Sequence, residues 1–192
     1  MSDQTITFTT GSSQTYKTPF TVSATVSSGS AVTFATSGDC TAADPKTVAS
    51  GTGTVTITPT AYGNNNCTIT ASQAGGGTYG PASDVSHTIS IAKAPLTVTP
   101  ATQTRTYGQV APSYTFSYGS GNFKSDDTAE NSVQTPPTCS SSYSQTSAVS
   151  TSPLTISCSG GVSANYAFDY QTSNLTISAK SVTITAENKS CN

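Results

Sequence analysis

The chain contains a single histidine, His87, whose usual pKa lies near neutrality. A histidine of this kind can act as a catalytic base or as a metal ligand. Neither role is supported by the surrounding sequence, because no serine-histidine-aspartate spacing and no cysteine-histidine metal pattern accompanies it. We therefore interpret His87 as a polar residue on a β-strand. The sequence predicts no catalytic residue, no metal site and no cofactor, and hence a protein that is not an enzyme.

The acidic side chains cluster at one place in the sequence, formed by Asp126, Asp127 and Glu130. Carboxylate oxygens at this spacing could ligate Ca²⁺ weakly. The alternative, which we favour, is that these residues cap a turn. An Asp or Ser cap followed by Ala129 or Glu130 is typical of a helix start. Residues 123–133 are therefore predicted to form a single helical turn, which Pro136 and Pro137 would end.

Lysines and tyrosines offer two further kinds of chemistry. Lys17 and Lys124 could donate an internal isopeptide bond to an Asn or Asp, but cysteines are available for cross-linking and we do not expect it. Exposed tyrosines could stack on sugar rings. However, Tyr16 and Tyr107, like Tyr79 and Tyr166, recur at matched places in the chain. This recurrence favours tyrosines of the core or of a corner, with hydroxyls that tie down loops.

Alternation of apolar residues with threonine predicts the elements that carry these side chains, namely half-buried β-strands. In the first half they are Thr5–Thr9, Phe20–Val26, Ala31–Phe34, Thr54–Thr58, Cys67–Ala71 and Thr88–Ile91. In the second half they are Leu96–Thr99, Tyr114–Tyr118, Leu154–Cys158, Tyr166–Tyr170 and Asn174–Ile177. Turn clusters such as Gly63–Asn66 separate them. The pattern predicts an all-β fold of two tandem antiparallel β-sandwich modules, immunoglobulin-like in type.

A fixed offset divides the chain into modules. Lys93 and Lys180 are 87 residues apart, as are Tyr79 and Tyr166. A Lys-Ala-Pro connector at residues 93–95 joins a strand that ends at Ile91 to one that starts at Leu96. Such a period indicates an array of small domains. The predicted modules are residues 1–92, residues 93–180, and residues 181–192 as the start of a third repeat.

The cysteines follow this division. Cys40 and Cys67 lie in the first module, and Cys139 and Cys158 lie in the second. One disulfide per module, Cys40–Cys67 and Cys139–Cys158, is the distribution expected in an oxidising compartment. Free thiols in a cytosolic protein are the alternative. Cys191 would belong to the third repeat and is predicted to be an unpaired thiol, or one that pairs outside this chain.

Composition excludes several classes of partner. Charged residues make up 8% of the chain and the net charge is −2, so there is no basic face for nucleic acid or anionic lipid. No apolar run approaches the roughly 20 residues of a membrane span. Hydrophobic residues are only 33%, which predicts a thin core in each module.

Two resemblances to known families rest on short motifs. The first module resembles the Ig-like repeats of large bacterial surface proteins at Ile6–Phe8, Tyr16–Phe20, Ala31–Phe34, Cys67–Gly75 and Tyr79. Residues 94–180 resemble the MBG domain of bacterial surface and secreted proteins at Leu96–Thr99, Arg105–Gly108, Pro112, Cys139, Ile156–Gly161 and Ala164–Tyr166. The family commonly has Asp after Tyr-Gly, whereas this chain has Gln109. The resemblance implies extracellular stalk-like or adhesive modules.

Two functions remain open on this basis. The first is a structural, stalk-forming module of a repetitive extracellular protein at the cell surface, with neighbouring repeats of the same chain as its partners. The second is a module that binds a glycan or a host or partner protein through loops such as Gly63–Asn66 and Ser120–Asp127, or through exposed tyrosines. A coplanar pair of exposed tyrosines or a contiguous apolar patch would favour the second.

Overall fold

The computed structural model describes residues 1–186 and consists almost entirely of β-strands, which confirms the predicted all-β class. The predicted unpaired thiol Cys191 lies outside the described residues. The chain divides into two compact units. The first unit comprises Met1–Leu96, Ser120–Thr135 and Val162–Phe168. The second comprises Thr97–Gly119, Pro136–Gly161 and the segment that begins at Asp169.

The first unit contains ten strands arranged in three sheets. They are β1 (Ile6–Phe8), β2 (Ser13–Thr15), β3 (Phe20–Val22), β4 (Ala24–Val26), β5 (Val32–Gly38), β6 (Cys40–Ala42), β7 (Thr47–Val48), β8 (Val55–Pro59), β9 (Gly63–Ser72) and β10 (Val85–Ala92). The sheet orders are β2-β10-β9-β5-β7, β3-β8-β6 and β1-β4. Strand β2 runs parallel to β10, and the other registered pairs of this unit are antiparallel.

The core of the first unit follows the predicted alternation. Phe34, Ile57, Ile69 and Ile89 are at most 1% exposed, while the threonines between such residues face outward. Outward threonines pair across neighbouring strands, as in the 3.1 Å contact between the hydroxyls of Thr68 and Thr88. Such cross-strand pairs stabilise a sheet on its solvent side. The inward side chains hold the sheets together, and the hydroxyl pairs help fix the register between strands.

Two local predictions for this unit are wrong. The predicted strand Phe20–Val26 is divided at Ser23, because β3 pairs with β8 whereas β4 pairs with β1. A strand that bends in this way passes from one sheet to another. The predicted turn Gly63–Asn66 lies inside β9, where the register against β10 shifts and Asn65 has φ 49°. Asn tolerates this left-handed conformation, so a residue pattern typical of a turn forms an irregularity within a strand.

Residues 94–186 add seven strands, in two sheets. They are β11 (Ala94–Pro100), β12 (Gln103–Thr106), β13 (Phe116–Tyr118), β14 (Thr138–Ser141), β15 (Leu154–Ser159), β16 (Tyr166–Tyr170) and β17 (Thr172–Ser178). The sheet orders are β12-β17-β15-β14 and β13-β11-β16. Strand β12 runs parallel to β17. The core of the second unit is formed by Tyr143, Ile156, Leu175 and Ile177.

The connector between the predicted modules is shorter than expected. Strand β10 ends at Ala92 and β11 begins at Ala94, so Lys93 alone lies between them. Ala94 and Leu96 are completely buried, which continues the apolar alternation through the predicted Lys-Ala-Pro connector. The boundary at residues 92–95 stays a prediction. Two segments of the predicted second module, 120–135 and 162–168, lie in the first unit.

A short helix occurs within residues 123–133, where one helical turn was predicted. It is α1 (Ala129–Ser132), and a 3₁₀ turn follows later at Val149–Thr151. The cap is not an Asp or Ser. Thr128 accepts a hydrogen bond from the Asn131 N–H, and the Asn131 side chain accepts one from the Thr128 N–H. This reciprocal capping box satisfies two donors at the helix start. The helix ends at Val133, whose backbone is extended, before Pro136 is reached.

Both predicted cysteine pairs stand at disulfide distance. The Sγ–Sγ separation is 1.96 Å for Cys40 and Cys67 and 1.99 Å for Cys139 and Cys158. The first pair joins the start of β6 to β9, and the second joins the neighbouring strands β14 and β15 at directly opposite positions. Each pair therefore connects segments within a single unit.

We expect reduction to lower the melting temperature of both units. The sequence separations of 27 and 19 residues correspond to about 3–4 kcal/mol per bond in the chain-entropy model. Calorimetry with and without reductant measures the loss, and the double variant Cys40→Ala/Cys67→Ala should reproduce it for the first unit alone. A peptide map that links Cys67 to Cys139, or melting that reductant leaves unchanged, would contradict the pairing.

Candidate functional site

Several ionisable side chains of the first unit meet at a turn that follows β2. The backbone of Lys17 is held in the left-handed region with φ 47°, which is uncommon for a lysine. Two hydrogen bonds fix the turn, from the Thr18 N–H to the Thr15 carbonyl at 3.0 Å and from the Lys17 N–H to the Pro59 carbonyl at 3.1 Å. The ammonium group of Lys17 therefore starts from a rigid backbone position.

Two aspartates meet this ammonium group. Lys17 Nζ lies 3.0 Å from Asp126 Oδ1 and 2.7 Å from Asp127 Oδ1. The two carboxylates differ in exposure, since the Asp126 side chain is 89% exposed and that of Asp127 only 10%. A nearly buried carboxylate needs a partner, because the cost of removing it from water must be offset. Asp127 is therefore the structural partner of Lys17, and Asp126 lies at the rim.

Tyr166 completes the arrangement. Its hydroxyl donates to Asp127 Oδ2 at 2.7 Å and accepts from the Lys124 N–H at 2.8 Å. Its ring, 1% exposed, packs edge-on against Tyr16 and Phe123 at centroid distances of 5.6 Å and 5.4 Å. Both oxygens of Asp127 are thereby occupied. We call this group the Lys17 cluster; its members are Tyr16, Lys17, Phe123, Asp126, Asp127 and Tyr166.

The pKa values of the cluster move in the directions that an ion pair requires. Burial alone would raise the pKa of Asp127, but the hydrogen bonds from Lys17, Tyr166 and Tyr16 outweigh it and hold that pKa below its ordinary value. The hydrogen bond to Asp127 raises the pKa of Lys17. Burial, together with the neighbouring Asp127, raises the pKa of Tyr166 to about 12. At neutral pH, Lys17 is charged, Asp127 is ionised and Tyr166 is neutral.

These protonation states bear on the isopeptide bond for which Lys17 was considered a donor. Its condensation requires an uncharged amine that attacks a carboxyl group that has kept its proton. The cluster stabilises the opposite form of both groups, since the pKa of Lys17 is raised and that of Asp127 is lowered. The geometry therefore supports a charge-assisted hydrogen bond between Lys17 and Asp127.

Calcium finds no assembled ligand set here. Asp127 uses both oxygens on Lys17 and Tyr166, and Asp126 Oδ1 contacts the same ammonium group. Glu130 lies on α1 and is exposed. Across residues 1–186, no group of three or more His, Cys, Asp or Glu side chains is placed to hold a metal ion. The acidic cluster is thus an ion-pair partner, a role that the sequence interpretation did not assign to it.

His87 lies on β10 and is half-buried. Its Nε2 lies 3.0 Å from the Phe8 carbonyl oxygen, and its ring packs edge-on against the Phe8 ring at 4.6 Å. The histidine thus links β10 to β1 within the first unit. This contact agrees with the interpretation of His87 as a polar strand residue.

The recurring tyrosines differ in exposure. Tyr16 and Tyr166 are 4% and 1% exposed, and the Tyr166 hydroxyl ties down the 124–127 loop as predicted for a corner tyrosine. Tyr107 is 45% exposed, so a core position is wrong for it. Tyr62 is 49% exposed, with Lys93 Nζ 5.1 Å from its ring centre. Tyr62 is the tyrosine of the first unit most available for stacking on a ligand.

The first unit also has a shallow depression on its surface. It measures about 190 Å³ and is lined by threonines together with Phe8, Ala24 and Gly51. Small-molecule sites usually occupy roughly 300–1,000 Å³ and enclose most of their ligand. The Lys17 cluster, with its paired charges and buried rings, is therefore the more developed polar feature of this unit.

The sequence alone does not bring the members of the cluster together. It suggests a covalent donor for Lys17, calcium ligands or caps for Asp126 and Asp127, and core or corner tyrosines for Tyr16 and Tyr166. The interaction between Lys17 and Asp127 spans 110 residues of sequence. The sequence feature that pointed to this pair was the small number of charged residues. With 7 Lys and Arg residues and 9 Asp and Glu residues, the chain can form few ion pairs.

We expect Asp127→Asn to destabilise the first unit, because it removes the negative charge that faces Lys17 in a nearly buried position. The expected loss is about 2–3 kcal/mol of unfolding free energy. Urea unfolding followed by circular dichroism measures it. Asp126→Asn is the matched control and should change little, because exposed ion pairs contribute little. Equal effects of the two substitutions would contradict the assignment of Asp127 as the structural partner.

The cluster also predicts a pH dependence. The pKa of Asp127 is lowered from 3.8, so its stabilisation is present above that value and is lost as pH falls through the depressed pKa. The pKa of Tyr166 is raised from 10.0 to about 12, so its stabilisation is present below pH 10 and is lost as pH rises towards 12. Lys17, raised from 10.5, adds to the alkaline loss.

Melting temperatures between pH 2 and pH 12 test this prediction. Asp127→Asn should flatten the acidic limb of the profile, and Tyr166→Phe should flatten part of the alkaline limb. A wild-type profile that coincides with that of Asp127→Asn near neutral pH, or an acidic limb of equal slope in the two proteins, would show that the ionised pair does not contribute to stability.

Comparison with known proteins identifies one segment. Residues 96–176 match the family model described as MBG domain (YGX type). No curated protein matches the chain. None of the helices described in residues 1–186 is long and apolar enough to cross a membrane. Residues 96–176, which supply Phe123, Asp126, Asp127 and Tyr166 to the Lys17 cluster, therefore carry an MBG domain of the YGX type.

Proposed function

We propose that this chain is a non-enzymatic structural module, part of the stalk of a large repetitive extracellular protein. The observation that carries the proposal is the Lys17 cluster. Its buried carboxylate, its ammonium group and its tyrosine hydroxyl are all directed at one another. In this protein these polar groups join segments of one unit, whereas in another protein similar groups could bind or transform a ligand.

The MBG domain supports the same function, since it is a β-rich structural module that suggests a surface protein. The two cysteine pairs at disulfide distance suit an extracellular, oxidising location. The outward faces suit an array, because they present threonine hydroxyls such as those of Thr33 and Thr47, which pair with each other at 2.8 Å. A surface with few charges does not repel an adjacent copy of itself.

A stalk module must resist tension, and force spectroscopy measures this directly. When the chain is pulled from its two ends, we expect discrete unfolding steps that recover after relaxation. Reduction should lengthen the unfolded chain, because it releases segments whose paired cysteines have sequence separations of 27 and 19 residues. At about 3.5 Å per residue, the added lengths are roughly 95 Å and 65 Å.

Two outcomes would count against the structural function. One is a chain that extends without measurable resistance. The other is saturable binding on a glycan array that Tyr62→Ala abolishes while the fold is kept, because that would favour a binding module acting through an exposed tyrosine. The matched control is Tyr107→Ala, which removes the other half-exposed tyrosine ring.

A further inference from the structure

Two turns of the chain are built in the same way. The first tyrosine turn is Thr15-Tyr16-Lys17-Thr18, after β2, and the second is Thr106-Tyr107-Gly108-Gln109, after β12. In each, the N–H of the fourth residue donates to the carbonyl of the first at 3.0 Å. The third residue has a positive φ in both, 47° in the first turn and 85° in the second.

The two turns also occupy the same place relative to their sheets. The first turn follows β2, which runs parallel to β10. The second turn follows β12, which runs parallel to β17. The tyrosine N–H donates to the carbonyl of the final residue of β10 or β17, Ala92 for Tyr16 and Ser178 for Tyr107, at 2.9 Å in both. The two turns are therefore structural equivalents.

They differ in what covers them. Tyr16 is 4% exposed because Tyr166 packs on its ring and the 123–127 loop contributes the carboxylates that hold Lys17. Tyr107 is 45% exposed, and Val110, just beyond its turn, is 68% exposed. The covering residues of the first turn come from the chain that follows β10. At the second turn the Tyr143 hydroxyl donates to the Gln109 carbonyl at 2.7 Å, but this contact leaves the Tyr107 side chain half exposed.

The chain that follows β17 begins like the chain that follows β10. Val182-Thr183-Ile184-Thr185 repeats the pattern of Leu96-Thr97-Val98-Thr99 in β11. Leu96 and Val98 are fully buried in β11, whereas Val182 and Ile184 are 81% and 89% exposed. These two apolar side chains alternate as in a strand, yet residues 181–186 form none. Among the described residues, nothing covers these two side chains.

We propose that the second tyrosine turn, with Val110, is the docking surface for a following β-module of the same type. The proposal rests on the proposed function of the chain as one module of an array. The contacts of the first turn indicate what would bind at the second. The following module would supply a loop and a strand end that place an aromatic ring on Tyr107, as Tyr166 packs on Tyr16. Gly108 stands where the first turn has Lys17, so recognition at the second turn is aromatic and does not require a carboxylate.

An extended chain tests the proposal. It consists of residues 1–180 followed by a second copy of residues 94–180, which brings a new loop and a new Tyr166 behind the second turn. The protein contains no tryptophan, so Tyr107→Trp introduces a unique fluorophore. Extension should move its emission to shorter wavelength and lower its quenching by acrylamide. A fall of about tenfold is expected, the ratio of the exposed fractions of Tyr107 (45%) and Tyr16 (4%).

Two further variants sharpen the result. Tyr62→Trp is the control, because Tyr62 is similarly exposed but belongs to the first unit, and its quenching should not change on extension.

Gly108→Lys recreates the Lys17 position opposite the aspartates of the added copy. It should raise the melting temperature of the extended chain relative to the same substitution in the 192-residue chain, and high salt should remove the difference.

Two results together overturn the proposal. They are unchanged acrylamide quenching of the Tyr107→Trp variant and no rise in melting temperature from Gly108→Lys. This holds whether the added copy folds without docking or fails to fold. The proposed function fails separately. Glycan binding through Tyr62, or extension without resistance to force, would reject the stalk module even if the second turn is buried by the added copy.

Discussion

The carboxylate of Asp127 is largely removed from water. Its charge must therefore be compensated by partners that other segments of the chain bring to it. An ion pair with Lys17 and hydrogen bonds from Tyr166 and Tyr16 offset the cost of its burial. Lys17 is presented by the left-handed turn after β2, and Tyr166 packs against Tyr16 and Phe123. This charge therefore helps to hold together segments of one unit that lie more than a hundred residues apart in sequence.

The remaining stability is distributed over many small contributions. The outer faces of the sheets are rich in threonine, and the apolar core is made of inward side chains such as Ile57, Ile69 and Ile89. Hydroxyl pairs across strands and the two cysteine pairs add to this core. A module of this kind gains cohesion from cross-links and ion pairs, because its apolar interior is small.

The placement of charged and aromatic side chains bears on function. In the described residues the charges of the Lys17 cluster pair with one another. The half-exposed tyrosines Tyr62 and Tyr107 belong to different units. The MBG domain at residues 96–176 contributes its loop at 123–127 and Tyr166 to the first unit. Part of that domain therefore packs with the chain that precedes it.

The sequence by itself indicated the all-β class, most of the longer strands and the cysteine pairs, but not short strands such as β2, β7 and β12. Apolar residues alternating with threonine are a local signal, so β8, β15 and β17 lie where the alternation predicts them. The number and spacing of cysteines similarly led to the two pairs that stand at disulfide distance.

Only the tertiary structure decided which charges meet and which tyrosines are covered. Nothing local connects Lys17 with Asp127, and nothing local divides Phe20–Val26 between two sheets. Tyr16 and Tyr107 occupy equivalent turns, yet one is buried and the other is exposed. Backbone conformation is set largely by neighbouring residues, whereas burial depends on which distant segment packs on top, and that is a property of the folded chain alone.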